Sequence, residues 1–341
     1  MSWLRDLWAG LTPIQQELVI ALVKVGVIVG ALQGLFSVMT WAERRLLALM
    51  QFRLGPNRTG PFGILQPIAD GIKLFFKEEV IPEGANRWMF VAAPAVAVVA
   101  AFLAIAVVPY GGPGIFQIAD LDVGVIYLFA LSSLGVYGIV MAGWAANNKF
   151  TLLGGLRSAA QMFSYELALG LSWVGLIMLS GSFRIQDIVA AQKGSLGLLN
   201  WYFVLQFPAF VIYLIAATAE ANRTPFDLPE AKTELVAGFH TEYSSMRFAL
   251  LQMAEYVHMI TVAAVGTNLF LGGWLSPVPF LPDSPLWFFA KFGLLLFFFI
   301  WLRGTLPRFR YDQLMHFGWK VLVPVATLSI LVTAGLVVWL Q

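Results

Sequence analysis

Three glutamates lie within or at the edge of long apolar segments, where a carboxylate is costly to bury. Glu166 and Glu255 lie about eight and seven residues inside two such segments, and Glu220 ends a third. At 1.5 Å per helical residue, the first two lie ~10–12 Å from one face of a membrane. A charge inside a membrane span indicates function, and a buried carboxyl group can exchange protons near neutral pH. The depths predict a lateral row of proton-exchanging carboxylates rather than a pore across the membrane.

Other polar side chains in the apolar segments favour simpler roles. Lys24 and Lys291 lie about one to two turns from the outer ends of their segments, so their long side chains can extend to the membrane interface. His258 follows Glu255 by three residues and is interpreted as a packing or hydrogen-bonding residue. With no Cys and only three His in the chain, a metal site is not expected.

The densest group of charges follows Glu220, in the segment 221–247. Two prolines, Pro225 and Pro229, restrict the residues before them and exclude a plain helix there. One alternative is a solvated loop, in which such charges contribute little. Apolar residues such as Phe226 and Leu228 alternate with the charges, which favours a packed and partly desolvated acidic loop.

Composition defines the elements that must position these residues. The 341-residue chain is 59% hydrophobic and 12% charged, whereas soluble domains are about half apolar and about a quarter charged. Eight segments reach or approach the roughly 20 apolar residues that span a bilayer. They lie at roughly 18–42, 88–109, 123–146, 158–180, 201–220, 248–271, 286–302 and 321–340. The sequence predicts an all-α polytopic membrane protein with about eight transmembrane helices and a single integral membrane domain, 1–341.

The basic residues predict the orientation of these spans. Sixteen of the 21 Lys and Arg fall in the loops after the first, third, fifth and seventh spans or at their flanks. By the positive-inside rule, these loops lie in the cytoplasm and both termini lie outside. The predicted cytoplasmic loops are roughly 43–87, 147–157, 221–247 and 303–320.

The first of these loops contains a predicted amphipathic helix. Ile68, Ile72, Phe75 and Phe76 share one face, with charged residues on the other. Such a helix can lie in the plane of the membrane interface. The turn-forming run 55–61 before it indicates a rigid connection.

Several function classes are excluded by composition. Without Cys, the chain itself holds no Cys-ligated iron–sulfur cluster, disulfide or Cys zinc site. A formal charge of +2 does not favour nucleic-acid binding.

Motifs along nearly the whole chain resemble one family. They are Glu43-Arg44-Arg45, Gln51 to Asn57, Leu65 to Lys73, Gln161 to Glu166, Ala219 to Leu228, Glu242-Tyr243-Ser244, Ala254-Glu255-Tyr256, and Trp301-Leu302-Arg303 with Pro307 to Met315. None is specific alone, but together and in this order they resemble the quinone-tunnel membrane subunit of respiratory complex I, the bacterial NADH-quinone oxidoreductase.

The resemblance implies a role inside a larger assembly. In this family quinone is the substrate, and it reaches a tunnel from the bilayer near the first span, the amphipathic helix and the sixth span. FMN and Fe–S clusters are expected only in partner subunits, which agrees with a redox subunit that has no Cys. The implied partners are peripheral quinone-site and Fe–S subunits, small membrane subunits and antiporter-like subunits. The chain would be part of a proton-translocating enzyme and not catalytic alone.

The resemblance also assigns candidate residues. The tunnel or its rim is expected to include Arg44, Arg53, Asp70, Arg223, Phe248 and Arg303. Proton coupling is expected of Glu166, Glu220, Asp227, Glu230, Glu234, Glu242 and Glu255. Arginines suit a path for a polar head group that gains negative charge, because they stay charged and donate several hydrogen bonds.

One position departs from the family pattern. Lys232 stands between Glu230 and Glu234, where the family usually carries a third acidic residue. A mechanism that requires all three carboxylates is therefore not expected, and we predict that Lys232→Glu is tolerated. Quinone reduction and the proton gradient in membranes should both stay near the parent level; loss of either would contradict this prediction.

Two alternatives are open from the residues. Pro94, Pro208 and Pro324 could interrupt spans of a stand-alone proton-coupled transporter, but large charged loops favour protein docking. The other is a related membrane anchor of an energy-converting hydrogenase or of another quinone- or phenazine-linked dehydrogenase. The excess of Arg over Lys favours a bacterial inner membrane.

Overall fold

The computed structural model describes residues 12–112, 117–229 and 232–340, except the side chains of residues 232, 233 and 340. Within these ranges there is no strand, and seven helices are long and apolar enough to cross a membrane. The predicted all-α, multi-pass membrane class is confirmed. In chain order the helices are α1 (Pro13–Met50), α2 (Gln66–Phe76), α3 (Arg87–Ala104), α4 (Gly124–Ala145), α5 (Lys149–Ser180), α6 (Ile185–Ala191), α7 (Tyr202–Leu205), α8 (Phe207–Glu220), α9 (Lys232–Leu235), α10 (Ser245–Leu269), α11 (Pro285–Thr305), α12 (Tyr311–Phe317) and α13 (Val323–Leu340).

The predicted fifth span, 201–220, is interrupted. It consists of the short α7 and the fourteen-residue α8, with Gln206 between them in a non-helical conformation. Pro208 favours the first turn of a new helix, because proline has no N–H to donate to a preceding turn. At 1.5 Å per residue α8 is ~21 Å long, shorter than a hydrocarbon core of about 30 Å. The buried Gln206 bonds to Thr333 of α13.

Two predicted loops are partly helical. The loop 147–157 is helical from Lys149, where the Asn148 side chain accepts a hydrogen bond from the N–H of Phe150 and begins α5. The loop 43–87 begins inside α1, which continues to Met50. Apolar composition marks the part of a helix that contacts lipid, whereas the helix itself ends only where its backbone bonds end.

The amphipathic helix of the first loop is present as α2. Its predicted apolar face, formed by Ile68, Ile72, Phe75 and Phe76, is more than half exposed at each residue. Ser245, which begins α10, donates to backbone oxygens at the end of α2. These bonds fix the C-terminal end of α2, while its apolar face stays open.

The Arg45 side chain fixes the turn before α2. Arg45 Nη1 donates to the carbonyl oxygen of Phe62 at 3.0 Å, and Trp41 Nε1 donates to the same oxygen at 3.1 Å. Arg45 also lies over the aromatic rings of both residues. These contacts join the end of α1 to the start of α2, as the predicted rigid turn requires.

Small residues let α4 pack closely between α3 and α5. A Cβ on Gly138 would lie 2.7 Å from the backbone N of Ala97, and one on Gly143 would lie 2.6 Å from the carbonyl oxygen of Thr151. Such contacts bring membrane helices together where larger side chains would separate them. They bring the middle of α4, with Ser132 and Ser133, into the protein interior.

The acidic loop after α8 is packed, as predicted. Phe226 and Leu228 are buried, and Gln161 Nε2 donates to the carbonyl oxygens of Ala219 at 2.8 Å and Phe226 at 2.7 Å. The Phe226 ring also lies 5.3 Å from that of Tyr165. Residues 219–228 thus form a fixed segment between the end of α8 and the surface.

Lys291 does not extend to the interface, in contrast to its interpretation from the sequence. Its ammonium donates to the carbonyl oxygens of Leu271 at 2.7 Å and Leu275 at 2.9 Å, and it lies 4.0 Å from the Trp201 ring centroid. These carbonyls follow the end of α10, where a cation is favourable. Lys291 therefore ties α11 to the end of α10.

We expect Lys291→Met to destabilise the protein by about 1–3 kcal/mol, because two buried carbonyls lose a charged donor. Thermal unfolding of the detergent-solubilised assembly would measure this as a lower Tm. Lys193→Ala is the control. Lys193 pairs with Asp283 at 2.8 Å, but its side chain is largely exposed, so the pair should contribute at most about 1 kcal/mol to stability. Equal melting of the Met variant and the parent would contradict the role of Lys291.

Candidate functional site

A buried ion cluster joins three distant parts of the chain. Glu43 of α1 accepts hydrogen bonds from Arg223 Nη1 at 3.3 and 3.1 Å, and Arg303 Nη1 of α11 also donates to it. The side chains of Glu43 and Arg223 are only 6% and 8% exposed. Two guanidinium groups share one carboxylate, so these three groups together carry a net positive charge.

Arg223 keeps its charge despite its burial. Burial alone would lower the Arg223 pKa, but the nearby Glu43, Tyr256 and Glu255 raise it above its ordinary value. The guanidinium carbon lies 4.1 Å from the Tyr256 ring centroid. Its Nε and Nη2 are buried and have no hydrogen-bond acceptor among the residues described. Donors of this kind can bind a ligand oxygen.

A polar cavity opens beside this cluster. It is lined by Glu43, Arg44, Leu47, Asn222, Arg223, Thr224, Asp227, His240, Phe248, Gln252, Glu255, Tyr256 and Arg303. The lining contains four of the six residues predicted for a tunnel and two predicted for proton coupling. The fold therefore brings together side chains from α1, the segment after α8, α10 and α11.

The other two predicted tunnel residues lie elsewhere. Asp70 of α2 pairs with Arg44 at 2.6 Å, which places it at the rim of the cavity, next to the open face of α2. Arg53 is exposed after the end of α1 and is not in the cavity lining. The backbone N–H of Arg53 donates to the carbonyl oxygen of Ala48 in α1 at 2.9 Å, and Arg53 does not join the other predicted tunnel residues.

The intramembrane carboxylates form a second cluster. Ser132 Oγ donates to Glu220 Oε1, and Ser133 Oγ donates to Glu166 Oε1. His258 Nε2 lies 3.4 Å from Glu220 Oε1. Neither serine was a candidate from the sequence, since a serine pair in an apolar helix is an ordinary feature.

Glu255 connects the two regions. It lines the polar cavity and also a mainly apolar cavity bordered by Ala97, Ala101, Ser132, Glu220 and His258. Glu220 and Glu255 therefore border one apolar cavity, and Glu255 also borders the polar cavity.

The remaining predicted carboxylates have partners outside the carboxylate cluster, and of those described only Asp227 lines either of these two cavities. Glu234 pairs with Arg157 at 2.6 Å and is about half exposed. Glu242 accepts a hydrogen bond from Asn148 Nδ2 at 2.7 Å. Asp227 lines the polar cavity and pairs with Arg308 at 2.6 Å. Glu230 lies outside the described residues.

Glu234 and Glu242 therefore line neither of the two cavities, and their part in proton coupling stays a prediction. Both lie within the predicted acidic loop, but they contact residues in α5 or at its start: Glu234 pairs with Arg157, and Glu242 accepts from Asn148. The turn near Gly238, between them, also lies against α5. A Cβ on Gly154 would lie 2.7 Å from the backbone N of Phe239, which shows how closely this turn contacts α5. In contrast, Glu43 belongs to the site although it was not a candidate residue; its signal in the sequence was the motif Glu43-Arg44-Arg45.

The arrangement suits binding of a polar, oxygen-bearing group. No group of three or more His, Asp or Glu that could hold a metal ion occurs in the described part of the chain. Guanidinium donors face a cavity whose rim adjoins an apolar helix surface. Such a site favours an amphiphile with an oxygen-bearing head group and an apolar tail.

Comparisons with known proteins identify similar chains. A family model described as NADH dehydrogenase matches residues 23–334. An H-type subunit of NADH-quinone oxidoreductase from Geobacter metallireducens is 52% identical over 330 residues, covering 95% of this chain and 98% of that one. The H-type subunit of the same enzyme from Rhodospirillum rubrum is 49% identical and covers 98% of both chains. NADH-quinone oxidoreductase subunit 8 of Thermus thermophilus is 53% identical, covering 94% of this chain and 88% of that one.

Proposed function

The chain belongs to the NADH dehydrogenase family, as a membrane subunit of NADH-quinone oxidoreductase of the H type, and from this premise we propose that its polar cavity receives the quinone head group. The observation that carries this proposal is the convergence of Arg44, Arg223, Phe248 and Arg303 on one cavity. The chain is a multi-pass membrane subunit of an oxidoreductase and does not catalyse the reaction alone.

Quinone reaches the cavity from the bilayer along α2. The exposed Ile68, Ile72, Phe75 and Phe76 would contact lipid and the isoprenoid tail. In the Arg44–Asp70 pair at the rim, Arg44 is 54% exposed and Asp70 26% exposed, so solvent screens the pair and separating its partners costs about 1 kcal/mol. An apolar tail can therefore stay in lipid while the head group moves past a polar rim.

The head group meets donors before it meets a redox centre. Arg223 Nε and Nη2 are placed to donate to a quinone oxygen, and the guanidinium groups of Arg223 and Arg303 stabilise negative charge on that oxygen. Electrons come from FMN and Fe–S clusters in peripheral partner subunits, which complete the deep end of the tunnel. This chain contributes binding and charge stabilisation.

Proton coupling begins where Glu255 borders the cavity. A change of charge on the head group acts on Glu255 and Asp227, and the row through Glu220 and Glu166 carries that change into the membrane. Small membrane subunits and antiporter-like subunits would receive it laterally. The proposed location is the bacterial inner membrane, with both termini on the periplasmic side and the polar cavity towards the cytoplasm.

A photoreactive quinone tests the binding site directly. Illumination of assembled complex in membranes should cross-link the quinone ring to segments 222–227 and 248–256, and excess unmodified quinone should remove the label. Labelling confined to segments remote from the cavity, such as α13, would overturn the proposal.

Phe248→Ala should weaken quinone binding with little effect on assembly. The ring lies at the cavity and 5.4 Å from that of His240, and loss of an aromatic contact of about 0.5–1.5 kcal/mol corresponds to a roughly 2–10-fold higher KM. Steady-state kinetics with a short-chain quinone would measure KM and kcat separately. Phe163→Ala is the control, because this ring on α5 is exposed and lines neither cavity. An unchanged KM in the Phe248 variant would contradict its placement.

A further inference from the structure

Two adjacent serines of α4 each contact a different intramembrane carboxylate. Ser132 donates to Glu220 of α8, and Ser133 donates to Glu166 of α5. We infer that Ser132 and Ser133 are positioning residues that hold Glu166 and Glu220 together as one coupled pair. This inference rests on the proposed proton-coupling function and adds residues that act through the carboxylates.

Helix geometry explains why a serine pair can do this. Successive helical residues are rotated by ~100° around the axis, so two adjacent hydroxyls can point to two different neighbouring helices. The close contacts of Gly138 with α3 and Gly143 with α5 fix the position of α4 in the bundle. The serine pair thus supplies one hydroxyl to a glutamate on each side.

Burial makes these hydroxyls important. Glu220 is 2% exposed, and its Oε2 has no hydrogen-bond partner among the described residues. Its Oε1 is contacted by Ser132 and lies near His258. Removing a hydrogen-bond donor destabilises a buried carboxylate more than an exposed one, because water does not replace the lost bond.

The two carboxylates and the histidine form one electrostatic group. Glu220 and His258 are close enough to Glu166 to interact with its charge. Charges this close act strongly on one another where water is excluded. Positions held by Ser132 and Ser133 therefore set how strongly Glu166 and Glu220 are coupled.

A hydroxyl suits both protonation states of its partner. It donates to a carboxylate, and after rotation of its O–H bond it accepts from a protonated carboxyl group. The serine gains and loses no proton in this change, and its oxygen need not move. An alanine at either position would leave the charged form without its donor.

The test uses Ser132→Ala and Ser133→Ala in the assembled complex in membrane vesicles. We expect an about tenfold lower rate of proton translocation, the factor that accompanies loss of one hydrogen bond to a charged group, with normal assembly. Ser132→Thr should retain translocation because threonine keeps the hydroxyl. Ser132→Val should lose translocation, because valine has the shape of threonine but no hydroxyl. Ser172→Ala is the matched control, since this buried serine donates to a backbone carbonyl of its own helix.

The outcomes separate this inference from the proposed function. Full translocation in both alanine variants, with loss in Glu220→Gln, would overturn the role of the serines and leave the carboxylates in place. Equal losses in the Thr and Val variants would also overturn it, because the hydroxyl would then not matter. Full translocation in Glu220→Gln and Glu166→Gln would instead overturn the proposed coupling row.

Discussion

Glu43→Gln should remove most quinone reductase activity from membranes that contain the complex. The substitution keeps the shape of the side chain and removes its charge, so Arg223 and Arg303 face each other without their shared counterion. Removing one partner of a buried ion cluster costs about 3–5 kcal/mol. We expect reduced assembly and, in the complex that does assemble, quinone reduction near background.

Native gels and NADH:quinone reductase assays on the same membranes would measure both effects. Glu43→Asp keeps the charge and should retain part of the activity. Asp312→Asn is the control, because Asp312 pairs with Arg310 on the surface and both side chains are exposed. Parent-level activity and assembly in Glu43→Gln would show that the cluster is not needed.

Glu220→Gln and Glu255→Gln should impair proton pumping. Glu220 is buried beside Ser132 and His258, and Glu255 borders both cavities. Glutamine keeps the size and hydrogen-bonding ability of the side chain but cannot take up or release a proton. We expect translocation to fall at least about tenfold, the factor equivalent to about 1.4 kcal/mol, in each variant.

Simultaneous measurement of quinone reduction and the proton gradient distinguishes a pumping defect from a folding defect. Asp187→Asn is a suitable control, because Asp187 lies on the surface in α6 and accepts from Ser182. Full pumping in both glutamine variants would exclude these two residues from the coupling route.

Much of the membrane organisation follows from local sequence. A continuous apolar run favours a helix in lipid because its backbone groups are satisfied within the segment. This reasoning predicted the seven long helices, whereas the spacing of apolar residues on one face predicted the amphipathic α2. It was less accurate where helices extend past the lipid-facing region, as at Lys149, and where Gln206 and Pro208 interrupt a span.

The candidate site was predictable only in part. The resemblance to a known family indicated Arg44, Arg223, Phe248 and Arg303, which line one cavity. It also indicated Arg53, which lies outside that cavity, and Glu234, whose partner is Arg157. Proximity along the chain to a functional segment does not fix the direction in which a turn leads the chain.

The sequence by itself determined that this is an all-α membrane protein. It also determined that charged residues are few, that most Lys and Arg fall in alternate loops, and that carboxylates lie inside the apolar segments. Only the tertiary structure decided which charges meet. Glu43 contacts Arg223 across 180 positions and Arg303 across 260, and Ser132 contacts Glu220 across 88. The physical reason is that apolar content is a property of each segment, whereas these contacts depend on how each helix is rotated and packed against the others.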